Sequence, residues 1–287
     1  MTCHWSGFEL PGRALPYHEA LGYASACLPH GTPDELDFLA LQIAVMTALD
    51  DAFEAMDARV QPDPRALLLP WQGAEGDVAA DATWQPHWQV LRAALEALHR
   101  TLATLARGNA SRRASVHGWW RRQAERQVVA FYREAQWRAE RTAPDLNTYL
   151  AVGQRSIGVE WTAATLIAFD TWAAAPRLGS ALTLTIDAIA RAVRLANDLH
   201  DPERERLEGK PQWLLMRAAQ LALAGLDVHS AEHEARKELS HAVRVEVAAA
   251  QAELRGQSIA SAQLRRCLAG LLGIGLAVYA PDLAAPA

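Results

Sequence analysis

Apolar residues recur along most of the chain at intervals of three and four, and strand-like alternation bounded by turn signals is nearly absent. That spacing predicts helices over about 33–59, 87–106, 115–141, 145–174, 180–201, 211–225, 228–256 and 258–279. Thr32-Pro33-Asp34-Glu35 is a strong helix start: a threonine cap, proline at the first helical position and a glutamate closing a capping box. Residues 60–90 hold Pro62, Pro64, Pro70 and Pro86 among several glycines and read as a loop. No repeat and no break in composition marks a second domain. The pattern predicts one all-α domain over residues 1–287.

Two of the helical stripes end in acids. Leu36, Leu39, Ile43 and Met46 lead at the same spacing to Asp50 and Glu54, with Asp51 beside them. Leu182, Ile186, Ile189 and Val193 lead to Asn197 and Asp201, and Glu205 follows at the same interval if the helix continues. A carboxylate on a core-facing stripe costs several kcal/mol unless it is paired, protonated or bound to a metal. A donor set of carboxylate and amide oxygens, without histidine or thiolate, suits Mg²⁺, which retains waters and favours phosphate oxygens. Solvated helix ends or pairing with arginines is the plainer reading of either cluster alone. Two clusters at matching positions favour a Mg²⁺–diphosphate site.

Composition narrows the class. Hydrophobic residues make up 51% and charged ones 21%, ordinary values for a globular chain. Lys plus Arg number 28 against 33 acids, a net charge of −5 with no basic run, which argues against nucleic acid as a partner. Cys3, Cys27 and Cys267 are odd in number and too dispersed for a local metal site, as expected in a reducing cytosol. No signal peptide and no run of ~20 apolar residues is evident, so a cytoplasmic protein independent of membranes is expected.

At these motifs the chain resembles the class I terpene synthases. Asp50-Asp51-Ala52-Phe53-Glu54 resembles their aspartate-rich motif, and Arg194 to Glu205 (RLANDLHDPERE) resembles their second motif, N-D-x-x-S/T/D-x-x-x-E. Glu208-Gly209-Lys210 matches a tail often found after it, and 130–158 (AFYREAQWRAERTAPDLNTYLAVGQRSIG) is similar to a diterpene synthase pattern. The nearest likeness is to bacterial single-domain, kaurene-type enzymes. No D-x-D-D motif occurs, so class II activity is not expected, and only one aspartate-rich motif is present where chain-elongating prenyltransferases carry two.

The resemblance implies an α-bundle around a central active-site cavity and a lyase that ionises a prenyl diphosphate, copalyl-type or geranylgeranyl, and cyclises the resulting carbocation. It implies three Mg²⁺ ions, two on Asp50 and Glu54 with Asp51 in support and one on Asn197, Asp201 and Glu205. Arg194 and Lys210 would grip the diphosphate, and Arg155 is a substitute for a diphosphate-sensing arginine that many bacterial cyclases carry near Gly153-Gln154. Ser156-Ile157-Gly158 would form a helix break facing the substrate, Gly153 and Gly158 both fitting a kink. Ten tryptophans supply aromatic faces for a dry, cation-stabilising pocket, with Phe53 and Trp161 among its lining and Phe131, Trp137 and Phe169 on the same helices. A class II cyclase supplying copalyl diphosphate and a homodimer are the partners implied.

The chain departs from the pattern at Pro202, which bends or ends the helix inside the second motif and makes Asp201 a possible cap. It departs again at Val278-Tyr279, where the family often has an arginine–tyrosine pair. Three other readings stay open: a farnesyl diphosphate cyclase, a non-catalytic helical binding protein, and a zinc peptidase built on His229-Ser230-Ala231-Glu232-His233, which matches H-x-x-E-H.

Overall fold

The computed structural model describes residues 10, 15–55, 64, 67, 86–170, 180–200, 202–256, 259 and 261–284. Helices occupy most of them, and no strand occurs among the described residues. None of these helices is long and apolar enough to cross a membrane.

The helices fall into two compact units. One contains the described residues through Tyr132 together with Trp161–Asp170; the other contains Arg133–Glu160 and the described residues from Ser180 onward.

In the first unit, α1 (Tyr17–Cys27) and α3 (Pro86–Leu105) pack on α2 (Pro33–Ala55). The capping box forms as expected: Thr32 N–H donates to Glu35 Oε2 at 2.9 Å, and Glu35 N–H to Thr32 Oγ1 at 3.4 Å. Buried Glu35 is also paired with Arg107 at 2.6 Å. Helix α2 is buried over most of its circumference, from Phe38 through Gln42, Val45 and Leu49 to Phe53. Helix α4 (Ala110–Glu140) begins five residues earlier than its apolar pattern suggested, because Asn109 caps it, its Oδ1 accepting from Arg112 N–H at 2.9 Å. Buried Arg112 donates to the carbonyls of Ile167 and Asp170 at 2.9 and 3.0 Å, closing the C-terminal end of α6 (Val159–Phe169). Trp120 Nε1 bridges Thr165 Oγ1 (2.9 Å) and Gln42 Oε1 (3.2 Å), tying α4, α6 and α2 together.

In the second unit, α7 (Ser180–His200) is the central helix and packs against α5 (Leu146–Ser156), α10 (Val228–Arg255) and α11 (Ala262–Tyr279). Short α8 (Pro202–Glu208) and α9 (Trp213–Leu223) lie between α7 and α10 in sequence, and α12 (Pro281–Ala284) follows α11. The caps are local. Asp145, Asp227 and Ser261 accept from the N–H of Thr148, Ser230 and Leu264.

One span read as a single helix is interrupted, and another ends where the spacing put its end. The stretch expected as one helix over 145–174 is α5 and α6, separated at Ile157-Gly158. The helix at 180–201 ends at His200, and Pro202 starts a new one, since proline needs no hydrogen bond at a first helical position.

Candidate active site

The aspartate-rich motif occupies the last turns of α2. Asp50, Asp51 and Glu54 are half-buried, whereas Leu49, Ala52 and Phe53 around them are buried. The stripe from Leu39 and Ile43 therefore passes from core to partial exposure as it reaches the acids. Phe53, expected to line a pocket, has no exposed surface and packs on Trp88 and Tyr132 at 4.8 and 6.2 Å. Trp161 is likewise fully buried, its ring 5.4 Å from that of Trp120. Both aromatics act through the core packing of the first unit, which holds α2.

In the second unit the stripe Leu182, Ile186, Ile189 and Val193 is buried and gives way to half-buried Asn197 in the last turn of α7. Asp201 lies outside the described residues. Glu205 is half-buried on α8, so it does not continue α7 as the spacing suggested: Pro202 intervenes. Gly209 turns the chain with φ +67°, and Lys210 N–H donates to the Glu205 carbonyl at 3.0 Å. The Lys210 ammonium is 2.7 Å from Glu208, which anchors it next to the motif. At the end of α11 the ring of Tyr279 stands edge-on to His200, 5.9 Å between centroids.

Arg194 is the centre of a buried polar cluster. Its guanidinium lies 4.8 Å over the Tyr149 ring, donates to the Tyr149 hydroxyl, and is 3.3 Å from Glu134 and 3.7 Å from Asp198. Tyr149 in turn donates to Asp198 Oδ1 at 2.7 Å, and Ser156 Oγ donates to Glu134 at 3.0 Å. Burial pushes the Asp198 carboxyl up to about 6, against the opposing pull of Arg194 and Tyr149. Burial likewise drives the Tyr149 phenol well above its usual range. For Arg194 burial works against the charge, but Tyr149, Glu134 and Asp198 together hold it firmly protonated.

The helix break lies beside this cluster, and its two glycines serve different ends. Gly158 has φ +82°, the left-handed conformation that ends α5 and permits α6 to start at once. Gly153 is instead a place of close approach: a Cβ there would stand 2.6 Å from Arg194 Nε. Only Gly158 makes the kink; Gly153 makes room for Arg194. Ser156 and Gly158 are buried and Ile157 half-buried. Arg155, expected to substitute for a sensing arginine, is exposed. Residues two positions apart on an α-helix point ~200° apart, so the side that takes Gly153 inward turns Arg155 away. The guanidinium at this turn is that of Arg194.

Asp198, Tyr149 and Glu134 lie within the motifs read from sequence but were given no site role there. Their signal was Arg194 and Asp198 four apart on a mostly apolar helix, an internal ion pair of the i,i+4 kind. Among the described residues no three His, Cys, Asp or Glu side chains converge to hold a metal ion. The donors of the two motifs nonetheless fit a magnesium-type ion by chemistry. Such an ion needs only one or two carboxylates from the protein and takes further oxygens from water and phosphate.

The histidines of the H-x-x-E-H run, His229 and His233, are exposed at the start of α10 and line a cavity of about 160 Å³ with Pro202, Arg206 and Arg236. Glu232, which a peptidase would use on water, is held by Arg206 at 2.5 Å.

The fold has solved relatives. It superposes on abietadiene synthase from Abies grandis with a TM-score of 0.71 at 14% identity, covering 96% of this chain and 35% of that one. The chain thus spans about a third of that enzyme's length. Linalool/nerolidol synthase from Streptomyces clavuligerus, in complex with 2-fluorogeranyl diphosphate, matches with a TM-score of 0.66 at 15% identity, covering 94% of this chain and 89% of that one. 2-Methylisoborneol synthase from Streptomyces coelicolor A3(2), in complex with Mg²⁺ and geranyl-S-thiolodiphosphate, matches with a TM-score of 0.64 at 19% identity, covering 92% and 82%. The curated proteins contain no match. A family model described as terpene synthase family 2, C-terminal metal binding, matches residues 42–245, a span that includes both acidic motifs and the whole Arg194 cluster. The chain therefore belongs to the terpene synthases, with the all-α fold of the class I enzymes.

Proposed function

We propose that the protein is a magnesium-dependent diterpene synthase that ionises a C20 prenyl diphosphate, copalyl-type or geranylgeranyl, releases diphosphate and cyclises the carbocation. The reading takes residues 1–287 as one catalytic domain. Arg194 is the observation that carries it. The side chain is a charged guanidinium, 12% exposed and oriented by four neighbours beside a helix break, within the matched metal-binding region. A preorganised cation of this kind stabilises charge that develops on a leaving group without reorganising first.

Asp50, Asp51 and Glu54 would hold two Mg²⁺ ions, and Asn197, Asp201 and Glu205 a third. When bound, these ions supply Lewis-acid neutralisation of the departing diphosphate. Arg194 donates hydrogen bonds to that group, and Lys210, tethered to Glu208, adds a second positive charge. Ser156 puts a hydroxyl 3.5 Å from Arg194, and the carbonyls freed at the Ile157-Gly158 break would face the substrate. The buried aromatics Phe53, Trp88, Trp120 and Trp161 keep water from the core behind α2, which carries the aspartate-rich motif.

The C20 preference is supported by the diterpene synthase pattern over 130–158 and by the fold's likeness to abietadiene synthase. The 2-methylisoborneol and linalool/nerolidol synthase structures hold geranyl analogues, so shorter substrates belong in the test. Purified protein is incubated with geranyl, farnesyl, geranylgeranyl and copalyl diphosphates and Mg²⁺. A C20 hydrocarbon or alcohol is expected, lost with EDTA and in Asp50→Ala and Asn197→Ala. Turnover of farnesyl diphosphate alone would make it a sesquiterpene cyclase, and full activity of both variants would remove the metal assignment.

A further inference from the structure

Arg194 has two carboxylate neighbours in very different settings. The Asp198 side chain is 2% exposed and pinned by the Tyr149 hydroxyl at 2.7 Å. The Glu134 side chain is 23% exposed and meets Arg194 at 3.3 Å, with Ser156 Oγ as its other partner at 3.0 Å. With both acids ionised around one guanidinium, the group is already negative by one charge. An incoming diphosphate oxygen bound to Arg194 would place a further anion within hydrogen-bond reach of them. Like charges that close in a buried setting are strongly disfavoured, so one carboxylate must give way. Asp198 is locked by burial and by Tyr149, whereas Glu134 reaches water and, among the described residues, is held by a hydroxyl and by Arg194 itself.

We propose that Glu134 is the resting counter-ion of Arg194 and exchanges with the diphosphate, while Asp198 and Tyr149 stay and aim the guanidinium. Glu134 is thus a positioning residue that keeps a buried cation paired in the empty protein and sets how tightly diphosphate is held. The inference rests on the reading of Arg194 as a diphosphate ligand.

The test is calorimetric titration of the full-length protein with inorganic pyrophosphate in Mg²⁺, comparing wild type with Glu134→Gln. The amide keeps the shape and removes the competing charge. Binding about five- to tenfold tighter is expected, the effect of deleting one partly exposed ion pair worth ~1 kcal/mol. KM for the prenyl diphosphate should fall by a similar factor with kcat little changed, a split that loss of structure alone does not produce. Glu134→Asp, whose shorter stem draws the carboxylate away from Arg194, should lie between the two and carries the test with the same sign if Glu134→Gln folds poorly. Equal or weaker pyrophosphate binding in these variants overturns the exchange. No pyrophosphate binding by the wild type would instead overturn the diphosphate-site reading beneath it.

Discussion

Replacing Gly153 by alanine sets two effects of opposite sign against each other. Alanine in a helix interior is favoured over glycine by ~1 kcal/mol, and Gly153 lies within α5, so local propensity alone predicts a more stable protein. The added Cβ, however, would sit 2.6 Å from Arg194 Nε and 3.0 Å from its Cδ and Cζ, where ordinary contact begins near 3.4 Å. Relief requires the guanidinium to retreat by about 0.8 Å at least, since the arginine stem yields more readily than the helix backbone. That shift disturbs the bonds to Tyr149 and Glu134, and charge-assisted hydrogen bonds are worth ~1.5–3 kcal/mol each when broken. The net expectation is a loss of about 1–2 kcal/mol, or roughly 2–8 °C in Tm for a chain of this size. Turnover should suffer more, by ~10²-fold, the effect of a displacement of order 1 Å in a charged group that acts on the reacting centre. Gly22→Ala in α1 is the control, because nothing lies within 4 Å of its Cβ position and only the propensity gain should appear. Thermal unfolding and steady-state kinetics of both variants decide the matter. A Gly153→Ala protein as stabilised as Gly22→Ala, with wild-type turnover, would refute the claim that this glycine exists to admit Arg194.

Acid should weaken the first unit through His99. Burial first, and then His117, Arg121 and Arg100, hold its folded pKa down to about 4 against an ordinary 6.5, so the folded form keeps it neutral. Between those values the unfolded chain binds the extra proton, and stability falls as pH drops from 6.5 towards 4. Urea midpoints at pH 7.5 and 5 should differ in wild type and converge in His99→Gln. If the H-x-x-E-H run were a zinc site, the isolated protein would carry stoichiometric zinc lost in His233→Ala. The expected result is no such zinc and unchanged turnover, because Glu232 is committed to Arg206.

The motif helices were legible because their apolar stripes are long and end in residues that do not belong on them. Pro33, Ser180 and Val228 begin helices close to where the spacing put them. Helix α1 was missed for a physical reason: it buries Ala20, Ala24 and Cys27, small residues that leave only a faint apolar periodicity, and its Pro16 cap makes no side-chain bond. The break at Ile157-Gly158 was anticipated from the family resemblance, which the glycines fit, but the separate task of Gly153 was not, since it depends on a side chain 41 positions away. The same limit hid Asp198, Tyr149 and Glu134. A motif fixes which residues face outward along one helix; it is silent on which arginine two other segments will enclose. Arg155, adjacent in sequence to Gly153, looked the better substitute only because rotation about α5 is invisible in a linear reading.

Pro202, a departure in the sequence pattern, becomes an asset once helix geometry is considered. On one unbroken helix Asn197 and Glu205 would lie eight residues apart, ~12 Å along the axis at 1.5 Å per residue. Metal–oxygen distances in a magnesium site are only ~2.1 Å, so side chains so separated would have to stretch towards each other to share an ion. Ending α7 at His200 and starting α8 at Pro202 removes the requirement that Glu205 lie on the axis of Asn197. On the proposed assignment, Pro202→Ala allows the two helices to fuse, which should raise helical content while weakening the Mg²⁺ requirement's midpoint by about tenfold or more, the usual scale for losing a residue that orients ligands. The measurement is the Mg²⁺ dependence of turnover and of pyrophosphate binding, with circular dichroism for helicity. A variant that gains helix and keeps the wild-type Mg²⁺ midpoint would show that Glu205 binds no shared ion with Asn197, and the third metal position would have to be built from other residues.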